Sequence, residues 1–254
     1  MSKLIITGAT GTAGSEVVRQ ALLNPAISHV TVLSRRPLPA HIAPSPPNPK
    51  LNVVLHSDFG SYPPSLLDQL KGHDACVWAL GKSSMGMKED EYERLTVGYA
   101  VEAARAFAGL KGDRAKDDKF VFVYLSGEGA EQREGKAMQM FGRVKGKAEH
   151  QLAEMPSTVP SLATYSFRPG GISPLHPAPG RPWWHSPVLG VLKVVYPSGV
   201  IGADTLARGM IDVALRGGSG TVEGWEGKGK AGNEGAFSNV EIKRLEKGES
   251  AQGV

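Results

Sequence analysis

Cysteine is almost absent from this chain of 254 residues, since Cys76 is its one example. A single cysteine excludes an intramolecular disulfide framework and is compatible with a reducing compartment. Cys76 lies in an apolar run at residues 75–79, which predicts a buried strand residue rather than a nucleophile. The seven histidines form no cluster that resembles a set of metal ligands, so no metal site is predicted.

Long apolar segments and a charge of one sign are lacking as well. The longest apolar stretch, residues 188–196, contains Lys193 and is far too short to cross a bilayer, so no membrane span is expected. The net charge is +4, and no helix dense in lysine or arginine suggests a nucleic-acid partner. The first strand starts by Leu4 without a preceding signal peptide, and we therefore expect a cytoplasmic protein.

Glycine, in contrast, is concentrated in one informative place near the start of the chain. Gly8, Gly11 and Gly14 follow a short apolar run and precede a helix predicted over residues 15–23. In this strand–turn–helix context the glycines let the backbone approach a pyrophosphate, which lies on the amides of the helix N-terminus. The expected contacts with a dinucleotide come from Thr7, Gly8, Thr10, Gly11, Thr12, Ala13 and Gly14. The alternative is a tight structural turn that binds no ligand.

The end of the second predicted strand, residues 29–33, lacks the acidic residue that commonly binds the ribose of NAD. Arg35 and Arg36 stand there instead. A guanidinium group forms charge-assisted bonds with phosphate, so this pair favours the extra phosphate of NADP(H). The alternative is that both arginines are simply solvated on a loop.

Strands and helices alternate along the chain, which predicts an α/β fold with a doubly wound parallel sheet of the Rossmann type. The predicted strands cover residues 4–6, 29–33, 51–55, 74–80, 120–125 and 163–167, and the predicted helices residues 15–23, 89–110 and 137–152. The carboxyl ends of parallel strands meet at one edge of the sheet. We therefore expect one crevice to collect the glycine turn, Arg35, Asp58, Gly81, Ser126 and Arg168.

The length fits a single domain with three parts. Residues 1–172 are expected to form the dinucleotide-binding core, residues 173–245 a small C-terminal region that covers the substrate, and residues 246–254 a disordered tail. The C-terminal region contains a predicted helix at 205–215, a mobile loop at 217–235 and a last strand at 237–242. It also holds Trp183, Trp184 and His185, which either line a lid over the substrate or pin an irregular loop to the core.

These motifs together resemble the atypical short-chain dehydrogenase/reductases, nearest the branch of the Tat-interacting oxidoreductase and its fungal relatives. The residues that carry the resemblance are the glycine turn, residues 34–36, Asp58, Phe59, Leu125, Ser126, residues 144–149 and residues 167–170. The resemblance implies that Asp58 and Phe59 lie near the adenine. It extends the cofactor site to Leu80, Gly81, Lys145, Arg168, Pro169 and Gly170. It also implies a catalytic serine, tyrosine and lysine beside the nicotinamide, of which Ser126 and Lys145 are present.

The tyrosine of that set is replaced by Phe141. In the family the tyrosine donates a proton to the nascent alkoxide, and a positioned general acid contributes about 10²- to 10⁴-fold to the rate. Three explanations remain open. Another group supplies the proton, or the reaction needs less acid assistance, as in reduction of an iminium or a conjugated alkene, or the protein binds cofactor without turnover. The candidate donors are Tyr99, Tyr124, Lys82 and Lys145. The alternative to a catalytic role for Ser126 is a purely structural one, because a serine at a strand end often only stabilises a turn of the chain.

The expected function is NADPH-dependent reduction of a small apolar or aromatic metabolite, with a role in fungal secondary metabolism implied by the resemblance. Two alternatives remain open. One is a non-catalytic NADP(H)-sensing regulator of the NmrA-like kind, and the other is an isomerase or epimerase. The expected partner is a small-molecule substrate, and a homodimer is compatible with the sequence.

Overall fold

A computed structural model describes residues 1–112, 118–133, 136–137, 139–176, 199–219 and 235–247 of the chain. The two tryptophans and the histidine of the predicted lid, Met138 and most of the predicted loop at 217–235 lie outside the described residues. So does the predicted tail from residue 248 onward.

The described strands and helices alternate as the sequence predicts. The first half contains β1 (Ser2–Thr7), α1 (Thr12–Leu23), β2 (Ile27–Ser34), β3 (Leu51–Leu55), α2 (Pro64–Leu70), β4 (Ala75–Trp78), α3 (Glu89–Glu93) and α4 (Tyr99–Phe107). The second half contains β5 (Phe120–Leu125), α5 (Met140–Thr158), β6 (Leu162–Arg168), β7 (Gly171–Ser173), β8 (Val200–Gly202), α6 (Ala203–Arg216), β9 (Ala236–Ser238) and α7 (Asn239–Lys247).

Seven of these strands form one sheet in the order β3-β2-β1-β4-β5-β6-β9. Every neighbouring pair in this sheet is parallel. The predicted doubly wound parallel sheet is therefore confirmed, and all seven carboxyl ends lie at one edge. The strands β7 and β8 form a separate parallel pair beside that edge, directly after β6.

The core consists of two layers, one on each face of the sheet. Side chains alternate along a strand, so Leu4 and Ile6 of β1 belong to the layer that α1 and α6 cover. Ile5 belongs to the opposite layer, which α2, α4 and α5 cover. Cys76 of β4 is fully buried in this second layer, as predicted. Of the helices described, none is both long enough and apolar enough to cross a bilayer.

The structure corrects two elements of the predicted order. The last strand ends at Ser238, and residues 239–242 belong to helix α7. The reason is a capping box, in which the Glu241 amide donates to the Ser238 hydroxyl and the Ser238 amide donates to the Glu241 carboxylate. The helix predicted at 89–110 is interrupted by a π-helical turn, Arg94–Gly98, between α3 and α4.

Candidate functional site

The turn between β1 and α1 accepts only glycine at two of its positions. Gly8 has φ of +67°, and a Cβ there would lie 2.2 Å from the Ala79 carbonyl oxygen. A Cβ at Gly14 would lie 2.2 Å from the Gly8 carbonyl oxygen. The helix begins after Gly11 with no side-chain cap and no acidic residue in its first turn. Its N-terminus is thus of the kind that binds an anionic group.

The ends of β1 and β4 are tied together beside this turn. Thr7 is fully buried, and its hydroxyl accepts a hydrogen bond of 3.2 Å from the Leu80 amide. Both residues were predicted to contact cofactor, but these two groups bind each other and hold the strands in place. Gly81, the next residue, is exposed, and no atom lies within 4 Å of where its Cβ would be. Gly81 therefore remains open at this edge of the sheet.

The residues predicted to select the cofactor lie at the ends of β2 and β3. Arg35 and Arg36 are exposed directly after β2, and among the described residues neither guanidinium has a partner. Asp58 is exposed after β3 and accepts a hydrogen bond of 3.0 Å from the Gly60 amide. Phe59 is only 2% exposed and packs edge-on against Trp78. Its ring belongs to the core, so only its backbone is available to a ligand.

Ser126 and Lys145 meet at the carboxyl end of β5. Ser126 is buried, and its hydroxyl oxygen has no hydrogen-bond partner among the residues that the structure describes. The Lys145 ammonium donates a hydrogen bond of 2.9 Å to the carbonyl of Leu125, the residue before Ser126. Burial lowers the pKa of Lys145 to about 8, and the nearby Glu149 carboxylate opposes that shift. An unpartnered hydroxyl and a lysine that titrates near neutral pH therefore lie together at this strand end.

Tyr124 supports this lysine and does not face the predicted substrate. Its side chain is 1% exposed, and the Lys145 ammonium lies 4.7 Å from the centre of its ring. Burial raises the pKa of Tyr124, and the Glu149 charge acts in the same direction. Tyr124, one of the candidate proton donors, is thus buried near the carboxyl end of β5, and burial favours its protonated form.

An open cleft of about 490 Å³ adjoins Ser126. Its walls are formed by residues 126–129, Phe141 and residues 169–172. The ring of Phe141 packs on the loop after β5, since a Cβ at Gly127 would lie 2.8 Å from its Cζ atom. Phe141 therefore forms one wall of the cleft, at the position where the family resemblance implies a tyrosine.

Glycines on α5 let this helix approach the loop after β5. A Cβ at Gly146 would lie 1.7 Å from the Glu131 carbonyl oxygen, and one at Gly142 would lie 2.5 Å from the Gly129 carbonyl oxygen. Both residues are buried, one helical turn apart. This close packing of α5 against the loop fixes the positions of Phe141 and Lys145 relative to Ser126.

Arg168 lies at the carboxyl end of β6, as predicted, and its charge is paired within the protein. Its guanidinium forms a bidentate ion pair with Glu149, whose side chain is fully buried. Gln132 also donates to Glu149, at 3.2 Å. Arg168 thus joins β6 to α5 rather than presenting its charge to a cofactor. Sequence reasoning missed Glu149, although it occurs in the segment 144–149 that carries the resemblance; its distance of 19 residues from Arg168 gave no local signal.

Comparison with known proteins identifies fungal relatives. No protein-family model matches the chain. Leucinostatins biosynthesis cluster protein T of Purpureocillium lilacinum is 34% identical over 60% of this chain and 51% of its own length. The chain thus spans about half the length of that relative. The mitochondrial protein fmp52 of Aspergillus fumigatus is 27% identical over 87% of this chain and 91% of its own length.

Solved structures share the architecture at low sequence identity. A short chain dehydrogenase/reductase from Saccharomyces cerevisiae superposes with a TM-score of 0.64 and 13% identity. The match covers 94% of this chain and 96% of the yeast chain. The chain therefore has the Rossmann-type fold that this short-chain dehydrogenase/reductase displays.

Proposed function

We propose that the protein is an NADPH-dependent reductase of a small apolar or aromatic metabolite. The observation that carries the proposal is the unpartnered Ser126 hydroxyl at the mouth of an open cleft, with Lys145 behind it. A buried hydroxyl without a partner costs free energy, which argues for a ligand that completes its hydrogen bonding. Its place at the carboxyl end of a parallel strand is where such folds bind ligands.

The glycine turn fits a dinucleotide because α1 begins without a side-chain cap hydrogen bond and without an acidic residue in its first turn. Arg35 and Arg36 would bind the additional phosphate of NADP(H), since both are exposed and unpaired among the described residues. Asp58, with the backbone of Phe59, would hold the adenine. When bound, the nicotinamide supplies a hydride.

The residues of the chain then have separate roles in the reaction. Ser126 donates a hydrogen bond to the polar atom of the substrate, and Lys145 binds the ribose while its charge favours the anionic cofactor. Phe141 and Ile172 line the cleft with apolar surface and exclude water. Phe141 cannot donate a proton, so the wild-type site is suited to substrates whose reduction needs little acid assistance.

A redox sensor that binds NADP(H) without turnover is the second candidate. The phenylalanine at position 141 favours it, because the site lacks the proton donor implied by the resemblance. The open cleft beside Ser126 argues for the reductase, since a sensor has no need of a substrate cavity. An isomerase or epimerase that uses bound cofactor transiently has no observation of its own in its favour.

Replacement of Phe141 by tyrosine tests the reductase proposal. The new hydroxyl would lie one helical turn from Lys145, whose ammonium lowers the pKa of a nearby phenol. We expect Phe141→Tyr to raise the turnover of the neutral ketone tetralone at least about tenfold, within the range of a general acid. The measurement is NADPH consumption, with product identified by mass spectrometry.

The sensor makes the opposite prediction for the same experiment. Neither the wild-type protein nor the Phe141→Tyr variant would then consume NADPH with any ketone, aldehyde or iminium compound, although both bind it. Arg143→Gln provides a matched control on α5, because Arg143 pairs with Glu89 on the outer surface and does not line the cleft.

The biological setting stays a proposal that the relatives support. The name of the Purpureocillium protein refers to a biosynthesis cluster, which favours a role in secondary metabolism. The predicted cytoplasmic location and the homodimer stay predictions, and the name of the Aspergillus relative says mitochondrial. Fluorescent tagging at the C-terminus distinguishes the two locations.

A further inference from the structure

The cleft beside Ser126 contains one ionisable side chain among the described residues that line it. This is Glu128, in the loop that follows β5. Its carboxylate lies over Gly170, since its Oε2 atom is 2.7 Å from where a Cβ of Gly170 would be. The remaining walls are small or apolar residues and the Ser126 hydroxyl.

The backbone of Glu128 is held in place, but its charge is not neutralised. The Glu128 amide donates a hydrogen bond of 2.8 Å to the Pro169 carbonyl, which fixes the loop against the end of β6. Within the part of the chain that the structure describes, no hydrogen bond or ion pair involves the carboxylate. The side chain is exposed, and an ionised carboxylate is a negatively charged hydrogen-bond acceptor. A carboxylate on a fixed loop thus faces a cleft whose other described side chains are apolar, apart from the Ser126 hydroxyl.

The ring of Phe141 adds a second feature that suits a cation. An aromatic face attracts a positive charge, and a carboxylate close to it strengthens that preference. The Lys145 ammonium, in contrast, does not line the cleft, because it is held on the Leu125 carbonyl and the Tyr124 ring. The cleft therefore selects for positive rather than negative ligands.

We propose that the substrate is a cationic iminium compound and that Glu128 is the residue that selects it. The inference rests on the proposed reductase function and deepens it. Reduced nicotinamide transfers a hydride to the iminium carbon, and the π electrons of the C=N bond become the lone pair of a neutral amine nitrogen. No proton is needed in this step, so the replacement of the catalytic tyrosine by Phe141 costs nothing.

A pair of bicyclic compounds of similar size tests the inference. N-methyl-dihydroisoquinolinium carries a permanent charge, and tetralone is its neutral ketone counterpart. We expect the wild-type protein with NADPH to reduce the iminium compound with a kcat/KM at least about tenfold above that for tetralone, the effect of one charge-assisted contact. Glu128→Gln lowers this preference, because the charge-assisted contact is lost, and leaves NADPH affinity unchanged. Phe141→Tyr improves tetralone reduction and does not improve iminium reduction.

Binding provides a readout that does not depend on turnover. Calorimetric titration with N-methyl-dihydroisoquinolinium should show affinity that falls at least about tenfold in Glu128→Gln. Glu154→Gln is the matched control, because Glu154 is an exposed glutamate on α5 outside the cleft. It should bind the cation as the wild-type protein does.

The outcomes separate this inference from the proposed function. Equal or better reduction of tetralone, or an iminium preference unchanged in Glu128→Gln, overturns the iminium inference and leaves the reductase standing. If the wild-type protein binds NADPH but turns over none of the compounds, the proposed reductase function is overturned. The reductive step proposed for the iminium substrate is then overturned with it. Cation binding that is insensitive to Glu128→Gln overturns the role of Glu128 in either case.

Discussion

Lys145 combines burial with a charge that the site needs. The residue is only 8% exposed. Its buried ammonium is stabilised by the Leu125 carbonyl, to which it donates a hydrogen bond, and by the ring of Tyr124. Burial disfavours the charged form, which is why its pKa falls to about 8. At neutral pH the group is still protonated, and it can attract an anionic cofactor.

The affinity for NADPH should therefore depend on pH through Lys145. Below pH 8 the lysine is charged and favours binding; as the pH rises through about 8 the proton is lost and the affinity falls. Lys145→Met should weaken NADPH binding at least about tenfold at neutral pH, which corresponds to about 1.4 kcal/mol. The variant should also lose the fall in NADPH affinity near pH 8. Fluorescence titration between neutral and alkaline pH measures both effects.

Lys147→Met is the matched control for this lysine. Lys147 lies two residues further along α5 and pairs with Glu93 on the exposed surface. The Lys147→Met variant should leave both the NADPH affinity and the pH dependence of that affinity unchanged. NADPH binding that is identical in Lys145→Met and in the wild-type protein would show that α5 was matched to the wrong segment of the family motif.

At the scale of single residues, sequence patterns placed Ser126 and Lys145 at the same strand end but did not predict the ion pair of Arg168 with Glu149. Ser126 follows β5, and Lys145 lies on α5, the next long helix. The order of strands and helices brings these two positions together and does not depend on the details of side-chain packing. The pairing of Arg168 with Glu149 depends on which face each side chain takes in the folded protein. The burial of Phe59 depends on Trp78 and is likewise decided by tertiary packing.

Helix α5 and strand β6 are joined by a buried ion pair that supports the site from behind. Glu149 is fully buried and Arg168 nearly so, with 14% of its side chain exposed. Removing one partner of such a pair leaves an uncompensated charge, which typically costs about 3–5 kcal/mol. The pair therefore fixes α5, and with it Phe141 and Lys145, to the sheet.

Glu149→Gln should lower the free energy of unfolding by about 3 kcal/mol, because Arg168 loses its countercharge. The double variant Glu149→Leu/Arg168→Met should recover part of that loss, since it removes the guanidinium together with the carboxylate, although Gln132 and Lys145 also lose their interaction with Glu149. Urea denaturation measures both changes. A loss of less than about 0.5 kcal/mol, the range of surface substitutions, would contradict this role of the pair.

Element boundaries were predictable where one local pattern decides them. The predicted strand at 120–125 agrees with β5, which is a continuous run of apolar residues. The helix at 89–110 was predicted from an unbroken helical period, but the π-helical turn shifts the buried face to Thr96, Val97 and Ala100. Helix α5 continues past Pro156 because the Thr164 hydroxyl donates to the Leu152 carbonyl, which the proline leaves without an amide.

The whole molecule places all proposed ligand contacts at one edge of a parallel sheet. Alternation of strands and helices was sufficient to predict this edge, since parallel strands linked by helices have little topological freedom. The sequence predicted a crevice that includes Ser126 but not the full set of residues that line it, because the walls come from three segments that pack only in the folded chain. Nor did it single out Glu128 as the charged group within that cleft.

The central claim is that this edge binds NADPH in preference to NADH, and titration with both dinucleotides tests it most directly. We predict that NADPH binds at least about tenfold more tightly and that Arg35→Ala/Arg36→Ala lowers its affinity to that of NADH. NADH binding should not change in this variant, and Arg105→Ala, which alters an exposed arginine on α4, should affect neither. Equal affinities for the two dinucleotides in the wild-type protein, or binding of neither, would contradict the account.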